Sequence, residues 1–169
     1  MKIVNIVCSG SFNQSVNFNA LLSLGPQIFQ YDPEMYHGAY LIVNSKKITI
    51  YTSGKYIFVG LKNVSDIEKQ FKSMKKLLKP FLEIECIQPP ITQNIVITDR
   101  ISESINFLEI VEKKSKFKIE YEPERFPGMI FRNLQGTCLI FRNGKILITG
   151  VKSLNDAQLI KNDILEMIK

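Results

Sequence analysis

The chain has 169 residues, 45% of them hydrophobic, a net charge of +6 and an isoelectric point near 9.2. That size and apolar content suit a globular protein with a substantial core, and no apolar run reaches the roughly 18 residues that span a bilayer, so no membrane partner is expected. The first residues lack a basic-then-apolar leader, which predicts an intracellular protein: nuclear in a eukaryote, otherwise cytoplasmic or at a viral replication site. The positive balance fits an acidic partner such as nucleic acid without requiring one.

In chain order, Ile3 to Cys8 reads as a strand and Asn17 to Leu24 as a helix. The segment YDPEMYHG follows at Tyr31 to Gly38, and Ala39 to Val43 is extended and apolar. In ITIYTSGKYIFVG, Ser53-Gly54 can take positive φ between two alternating runs, the signal for paired antiparallel strands. Ser65 to Leu78 is amphipathic, with Ile67, Phe71, Met74 and Leu78 at helical spacing. Lys62, Lys69, Lys72, Lys75, Lys76 and Lys79 crowd this stretch, which reads equally well as a solvated helix face or a docking surface. After Pro80 and the pair Pro89-Pro90 the order recurs. Ile91 to Ile97 is strand-like, and Ser102 to Val111 is helix-like with Ser102 as N-cap. YEPERFPG at Tyr121 to Gly128 leads to an extended piece, Met129 to Arg132, and a second hairpin, CLIFRNGKILITG, around Asn143-Gly144. A helix with Leu154, Ala157, Ile160, Ile164 and Ile168 on one face closes the chain.

The recurrence is an internal repeat. Tyr31–Lys62 laid on Tyr121–Lys152 without a gap leaves nine of 32 positions identical, including Tyr31, Pro33, Glu34, Gly38, Gly54, Lys55 and Gly60, where unrelated sequence gives about two. "NIV" at Asn5 to Val7 returns at Asn94 to Val96. The predicted organisation is a repeat over 1–79, a joint over 80–90 and a repeat over 91–169; the joint holds no low-complexity tract, which predicts that the halves pack together.

Both faces of the hairpin strands are apolar. Ile48, Ile50, Tyr56 and Phe58 alternate with Thr49, Tyr51, Ile57 and Val59, and Cys138, Ile140, Ile146 and Ile148 alternate with Leu139, Phe141, Leu147 and Thr149. The few helices can cover one set. An uncovered apolar face is a binding surface, unless a partner subunit covers it or the strands are buried on both sides within one domain. Cys8, Cys86 and Cys138, odd in number and widely spaced, are expected to be reduced, packed thiols. One histidine (His37), no metal-ligand cluster and no phosphate-binding glycine motif argue against an enzyme and against a cofactor. Glu122 and Glu124 sit where the first repeat has Asp32 and Glu34, so a duplicated exposed element explains them better than a catalytic pair does.

The paired YxPE segments, Gly-Lys hairpins and NIV strands, in one order in both halves, resemble the TATA-binding protein core over essentially the whole chain. The resemblance implies an α+β fold: two pseudo-symmetric repeats forming a curved antiparallel sheet, or saddle, with helices on the convex face. It implies a transcription initiation factor that binds and bends A·T-rich promoter DNA through the minor groove, where shape, apolar contact and a few amides serve in place of a polar code. Tyr36 and Tyr51, with Phe126 and Phe141, fall at the wedge positions that unstack base steps. Asn5, Val7, Ile57, Val59, Asn94, Val96, Leu139, Leu147 and Thr149 fall on the groove-facing surface, and Lys55, Arg132 and Lys145 at phosphate contacts. The acidic stirrup Glu122 and Glu124, with Arg125 beside it, corresponds to the surface offered to transcription factor IIB. The basic helix with Lys62, Lys69, Lys72 and Lys76 corresponds to that used by factor IIA-like or negative regulators. The first repeat departs more: its wedges are tyrosines, Ile42 replaces a phosphate-binding arginine, Thr49 a leucine and Val59 a threonine.

Two further expectations follow. A tyrosine carrying an unpaired hydroxyl into a base stack loses about 1 to 3 kcal/mol, so the tyrosine end should grip less well than the phenylalanine end and gain from Tyr→Phe changes. Tyrosines also suit a surface that binds protein or RNA, which makes a module of the same fold, with its saddle turned to such a partner, the alternative function.

Overall fold

The computed structural model describes residues 1–101, 104–112 and 117–168. The chain divides into two compact units, Ile6–Thr92 (the N-terminal unit) and Met1–Asn5 with Gln93–Lys169 (the C-terminal unit).

The N-terminal unit takes β1 (Lys2–Ser11) from Ile6 onward, followed by α1 (Phe18–Leu21), β2 (Phe29–Gln30), β3 (Ala39–Val43), β4 (Lys46–Ile50), β5 (Lys55–Leu61) and α2 (Ser65–Leu78). The strands pair antiparallel in the order β2-β3-β4-β5-β1. The C-terminal unit repeats the plan with β6 (Ile91–Arg100), α3 (Phe107–Glu112), β7 (Lys118–Glu120), β8 (Met129–Arg132), β9 (Thr137–Ile140), β10 (Lys145–Val151) and α4 (Leu154–Met167), paired as β6-β10-β9-β8-β7. The α+β class and the duplicated antiparallel sheet agree with the sequence reading.

The predicted hairpins form with the same turn in both units. Tyr51 N donates to Lys55 O and Phe141 N to Lys145 O, each at 2.9 Å, while Gly54 and Gly144 take φ of 87° and 74°. Gly54 has a second constraint, because a Cβ there would lie 2.2 Å from Gln14 O. Between β3 and β4 the two-residue turn Asn44-Ser45 has both φ positive (50° and 60°), the primed geometry whose twist matches a hairpin. Bulges interrupt β5 and β10 at Gly60 and Gly150, whose φ of 84° and 81° few other residues tolerate.

Strand alternation separates the two faces. Ile6, Cys8, Leu41, Ile48, Ile50, Tyr56 and Phe58 are buried beneath α2, which contributes Met74 and Leu78. Ile95, Ile97, Phe131, Cys138, Ile140, Ile146 and Ile148 are buried beneath α4, which contributes Ala157, Ile160 and Ile164. Gln70, buried in α2, donates to Val43 O at 2.9 Å and accepts from Asn44 Nδ2 at 3.2 Å, so its amide reads the β3–β4 turn instead of remaining an unsatisfied core group. α4 begins with a capping box in which Ser153 and Asp156 satisfy each other's backbone amides.

Two local expectations change. The second-repeat helix begins at Phe107, because Ile101 N and Ile105 N bond to Gly144 O and Arg142 O (2.9 and 2.8 Å) and hold the preceding segment against the β9–β10 turn. The proposed cap Ser102 lies outside the described residues, and the Leu108 amide is met by Asn106 Oδ1 at 3.2 Å. Cys86 is exposed, unlike buried Cys8 and Cys138, because it ends a single 3-10 turn in the joint and not a strand. Burial raises the Cys8 thiol and pushes that of Cys138 up to about 12. Among the described residues no helix is long and apolar enough to cross a membrane.

Candidate nucleic-acid interface

Opposite the helices, each unit presents an open sheet face. In the N-terminal unit the cross-strand register lines up Gln30, Tyr40, Thr49, Ile57 and Ser9. In the C-terminal unit it lines up Glu120, Ile130, Leu139, Leu147 and Thr98, with Arg132, Thr137 and Thr149 in the next row. Val7, Ile57, Val96, Leu139, Leu147 and Thr149 are only partly covered, and Val59 is 48% exposed. The apolar residues that no helix covers are therefore gathered on one side of each sheet, and most of the side chains expected to touch a groove stand together there.

Each face ends on an aromatic pair, and the YxPE element explains how it is presented. Tyr31 packs edge-on against Phe18 at 4.8 Å and Tyr121 against Phe107 at 5.0 Å, anchoring the element to the first helix of its unit. A tight turn follows: Tyr36 N donates to Asp32 O at 3.0 Å and Phe126 N to Glu122 O at 2.9 Å. Tyr36–Tyr51 and Phe126–Phe141 then meet with centroids 6.2 and 5.9 Å apart at interplanar angles of 63° and 64°. The glycine of each motif makes this possible. A Cβ on Gly38 would lie 2.7 Å from the Tyr36 ring, and one on Gly128 equally close to Phe126.

The tyrosine pair corrects one expectation. Tyr36 and Tyr51 hydroxyls are 2.6 Å apart, so each already has a partner and the loss assigned to an unpaired hydroxyl does not apply. This bond is also the leading cause that raises the Tyr51 phenol above its ordinary value.

Polar groups on the open face are oriented by the sheet. Asn94 Oδ1 accepts from Gly150 N at 2.8 Å at the β10 bulge, and Nδ2 lies 3.4 Å from Thr149 Oγ1, which fixes which end of the amide each neighbour holds. Lys55 and Lys145 are exposed immediately after the aromatic turns. Arg132 is held less freely, with Nε 3.4 Å from Glu120 Oε1 and Nη1 3.2 Å from Thr137 Oγ1, and must exchange these exposed contacts to hold a phosphate.

Sequence reasoning missed two groups. Arg100 is the register partner of Lys145 and lines, with Lys2, Thr98, Phe141 and Leu147, a hollow of about 530 Å³ on the C-terminal unit. Its even parity with Asn94 and Val96 along β6 was the available signal. Tyr40 stacks on Tyr36 (5.9 Å, 11°) and carries Lys47 Nζ 5.0 Å from its own ring centre. The C-terminal counterparts are Ile130 and Thr137, so comparing the repeats at matched offsets would have exposed this pair.

Away from the sheet face, Glu122, Glu124 and Arg125 are exposed, and Arg125 Nη1 lies 2.9 Å from Glu122 Oε2. Arg125 thus partly neutralises Glu122, the carboxylate it faces across that turn. On α2, Lys72 meets Glu68 at 2.5 Å and holds its carboxyl below the usual range, and Lys69 lies 3.9 Å from Asp66; Lys62 and Lys76 are exposed. No group of three or more metal-ligating side chains occurs among the described residues.

The comparisons with known proteins agree with this geometry. The family described as "Transcription factor TFIID (or TATA-binding protein, TBP)" matches residues 1–81 and 89–169. The chain is 32% identical to TATA-box-binding protein C of Halobacterium salinarum, covering 94% of this chain and 91% of that one. It is 33% identical to the TATA-box-binding protein of Archaeoglobus fulgidus, with 94% and 88% covered. The solved structure of Methanococcus jannaschii TBP superposes with a TM-score of 0.80 at 30% identity, covering 99% of this chain and 97% of that one. Two matched repeats, relatives matched over most of their length and a shared fold together establish that the chain belongs to the TATA-binding protein family.

Proposed function

We propose that this protein is a non-enzymatic transcription initiation factor that binds A·T-rich promoter duplex through the minor groove, bends it, and recruits a factor IIB-like protein, acting inside the cell. The observation that carries the reading is the pair of partly exposed apolar sheet faces, each ending on an aromatic pair of the same geometry with a lysine four residues beyond its second ring. Rings without formal charge can enter a base step, and the A·T minor groove asks for few polar contacts, so such a face matches a widened, unstacked groove. Asn94, with its amide oxygen held by Gly150 N and one N–H directed to Thr149 Oγ1, has a second N–H for the acceptors that A·T and T·A share. Lys55, Lys145 and Arg132 supply phosphate contacts that position the protein without reading sequence.

A gel-shift comparison of A·T-rich and G·C-rich duplexes tests this. The A·T-rich probe should bind more tightly, and its affinity should fall steeply between about 50 and 200 mM salt as phosphate contacts release counterions. Lys55→Ala with Lys145→Ala should lower the slope of log K against log salt by about 0.9 per lost contact. Absence of duplex binding at low salt would transfer support to the module that binds protein or RNA.

A further inference from the structure

The two wedge pairs share geometry but not chemistry, and the difference lies in what their tips can bond. Phe126 and Phe141 carry no polar atom, and of the carboxylates lining the hollow beside Phe126, Glu122 is paired with Arg125 and Glu120 with Arg132. At the other end, Tyr36 and Tyr51 share one hydrogen bond of 2.6 Å between hydroxyls. Two hydroxyls hold two protons, and their mutual bond uses one proton and one lone pair. The pair therefore still offers one O–H donor and several acceptor lone pairs. It is also held in place: Tyr40 stacks on Tyr36, Lys47 sits over Tyr40, and both wedge rings lie close over Gly38.

The minor groove distinguishes G·C from A·T chiefly by one group, the guanine 2-amino donor. Against a phenylalanine tip that amino group loses its water and finds no acceptor, which is costly. Against the tyrosine pair it meets a hydroxyl lone pair, while A·T edges can still accept the outward O–H. Resting on the minor-groove reading above, we infer that Tyr36 and Tyr51 form a hydrogen-bonding wedge that accommodates a G·C pair at the N-terminal unit's end of the site, which the Phe126–Phe141 end rejects. The protein is thereby oriented on any duplex with a G·C pair at one end.

The experiment uses a symmetric A·T-rich duplex and derivatives with guanine at one end or at both. Each has a matched control in which inosine, lacking the 2-amino group, replaces guanine. Wild-type protein can turn round on the duplex, so one guanine should bind within about twofold of its inosine control, whereas guanine at both ends should bind about tenfold or more weakly than its control. In the Tyr36→Phe, Tyr51→Phe double variant, one guanine should already show the tenfold loss. The guanine-to-inosine ratio is internal to each protein, so a general change in affinity or folding cancels. A tenfold loss from one guanine in wild type, or ratios unchanged in the double variant, would overturn the inference while leaving A·T binding established. Failure of the unsubstituted A·T duplex to bind would remove both.

Discussion

The phenylalanine and tyrosine ends differ by two oxygen atoms, and their position decides what those atoms do. Considered singly, each hydroxyl is a group to be desolvated; facing one another at 2.6 Å, they become a shared bond with capacity to spare. The ring beneath each pair depends on a glycine with no room for a methyl group. Gly128→Ala would put a Cβ 2.7 Å from Phe126 Cε1 and 3.1 Å from Ile140 O. Because Ile140 is buried backbone and the Phe126 ring is at the surface, the ring must yield. We expect Gly128→Ala to weaken duplex binding by about tenfold, a cost of about 1.4 kcal/mol, while lowering thermal stability little. Affinity and melting temperature measured on one preparation check this. A large loss of stability with proportionate loss of binding would mean that the glycine serves packing alone.

Among elements, the tie between β6 and α4 contains a carboxyl displaced from its ordinary value. Lys161 Nζ lies 2.6 Å from Asp99 Oδ2, and both side chains are largely covered. Burial pushes the Asp99 carboxyl upward, but hydrogen bonds from Lys161, the chain's amino group and the Arg100 amide outweigh it and leave the group below its ordinary value. A carboxyl depressed in the folded state contributes stability above its unfolded value, near 3.9, and loses that contribution as pH falls through the lower folded value. Lys161→Met keeps the aliphatic stem and removes the charge. The stability difference between wild type and this variant, from urea midpoints, should be largest near neutrality and shrink below about pH 4. A difference as large at pH 3 as at pH 7 would assign the lysine's contribution to packing. The other polar tie, Gln70 to the β3–β4 turn, holds no titratable group and should not share this pH dependence.

At the scale of the whole molecule, a net charge of +6 coexists with an exposed acidic turn at Glu122 and Glu124. If that turn recruits a factor IIB-like protein, Glu122→Lys with Glu124→Lys should abolish the ternary complex, with DNA binding kept or strengthened by the added positive charge. The Arg125–Glu122 pair sharpens the expectation, because Glu124→Lys alone should account for most of the loss. A supershift titration with the partner reads both effects, and an undiminished ternary complex would show that this surface is not the docking site. The organisation of the chain was legible in the primary structure. Period-two alternation assigned residues to sheet faces, period-3.6 spacing found Ser65–Leu78 to the residue, and matched offsets of Gly, Lys and aromatic positions showed two copies of one unit. Such patterns are written in neighbouring residues and in the comparison of one repeat with the other. Tertiary structure alone decided that Tyr36 and Tyr51, fifteen positions apart, meet by their hydroxyls; that Tyr40 and Lys47 brace them; that Arg125 screens Glu122; and that Cys86 faces solvent. The physical reason is range: alternation depends on backbone geometry repeated from residue to residue, whereas a bond between side-chain tips depends on a few tenths of an ångström set by turns, register and packing from segments distant in the chain.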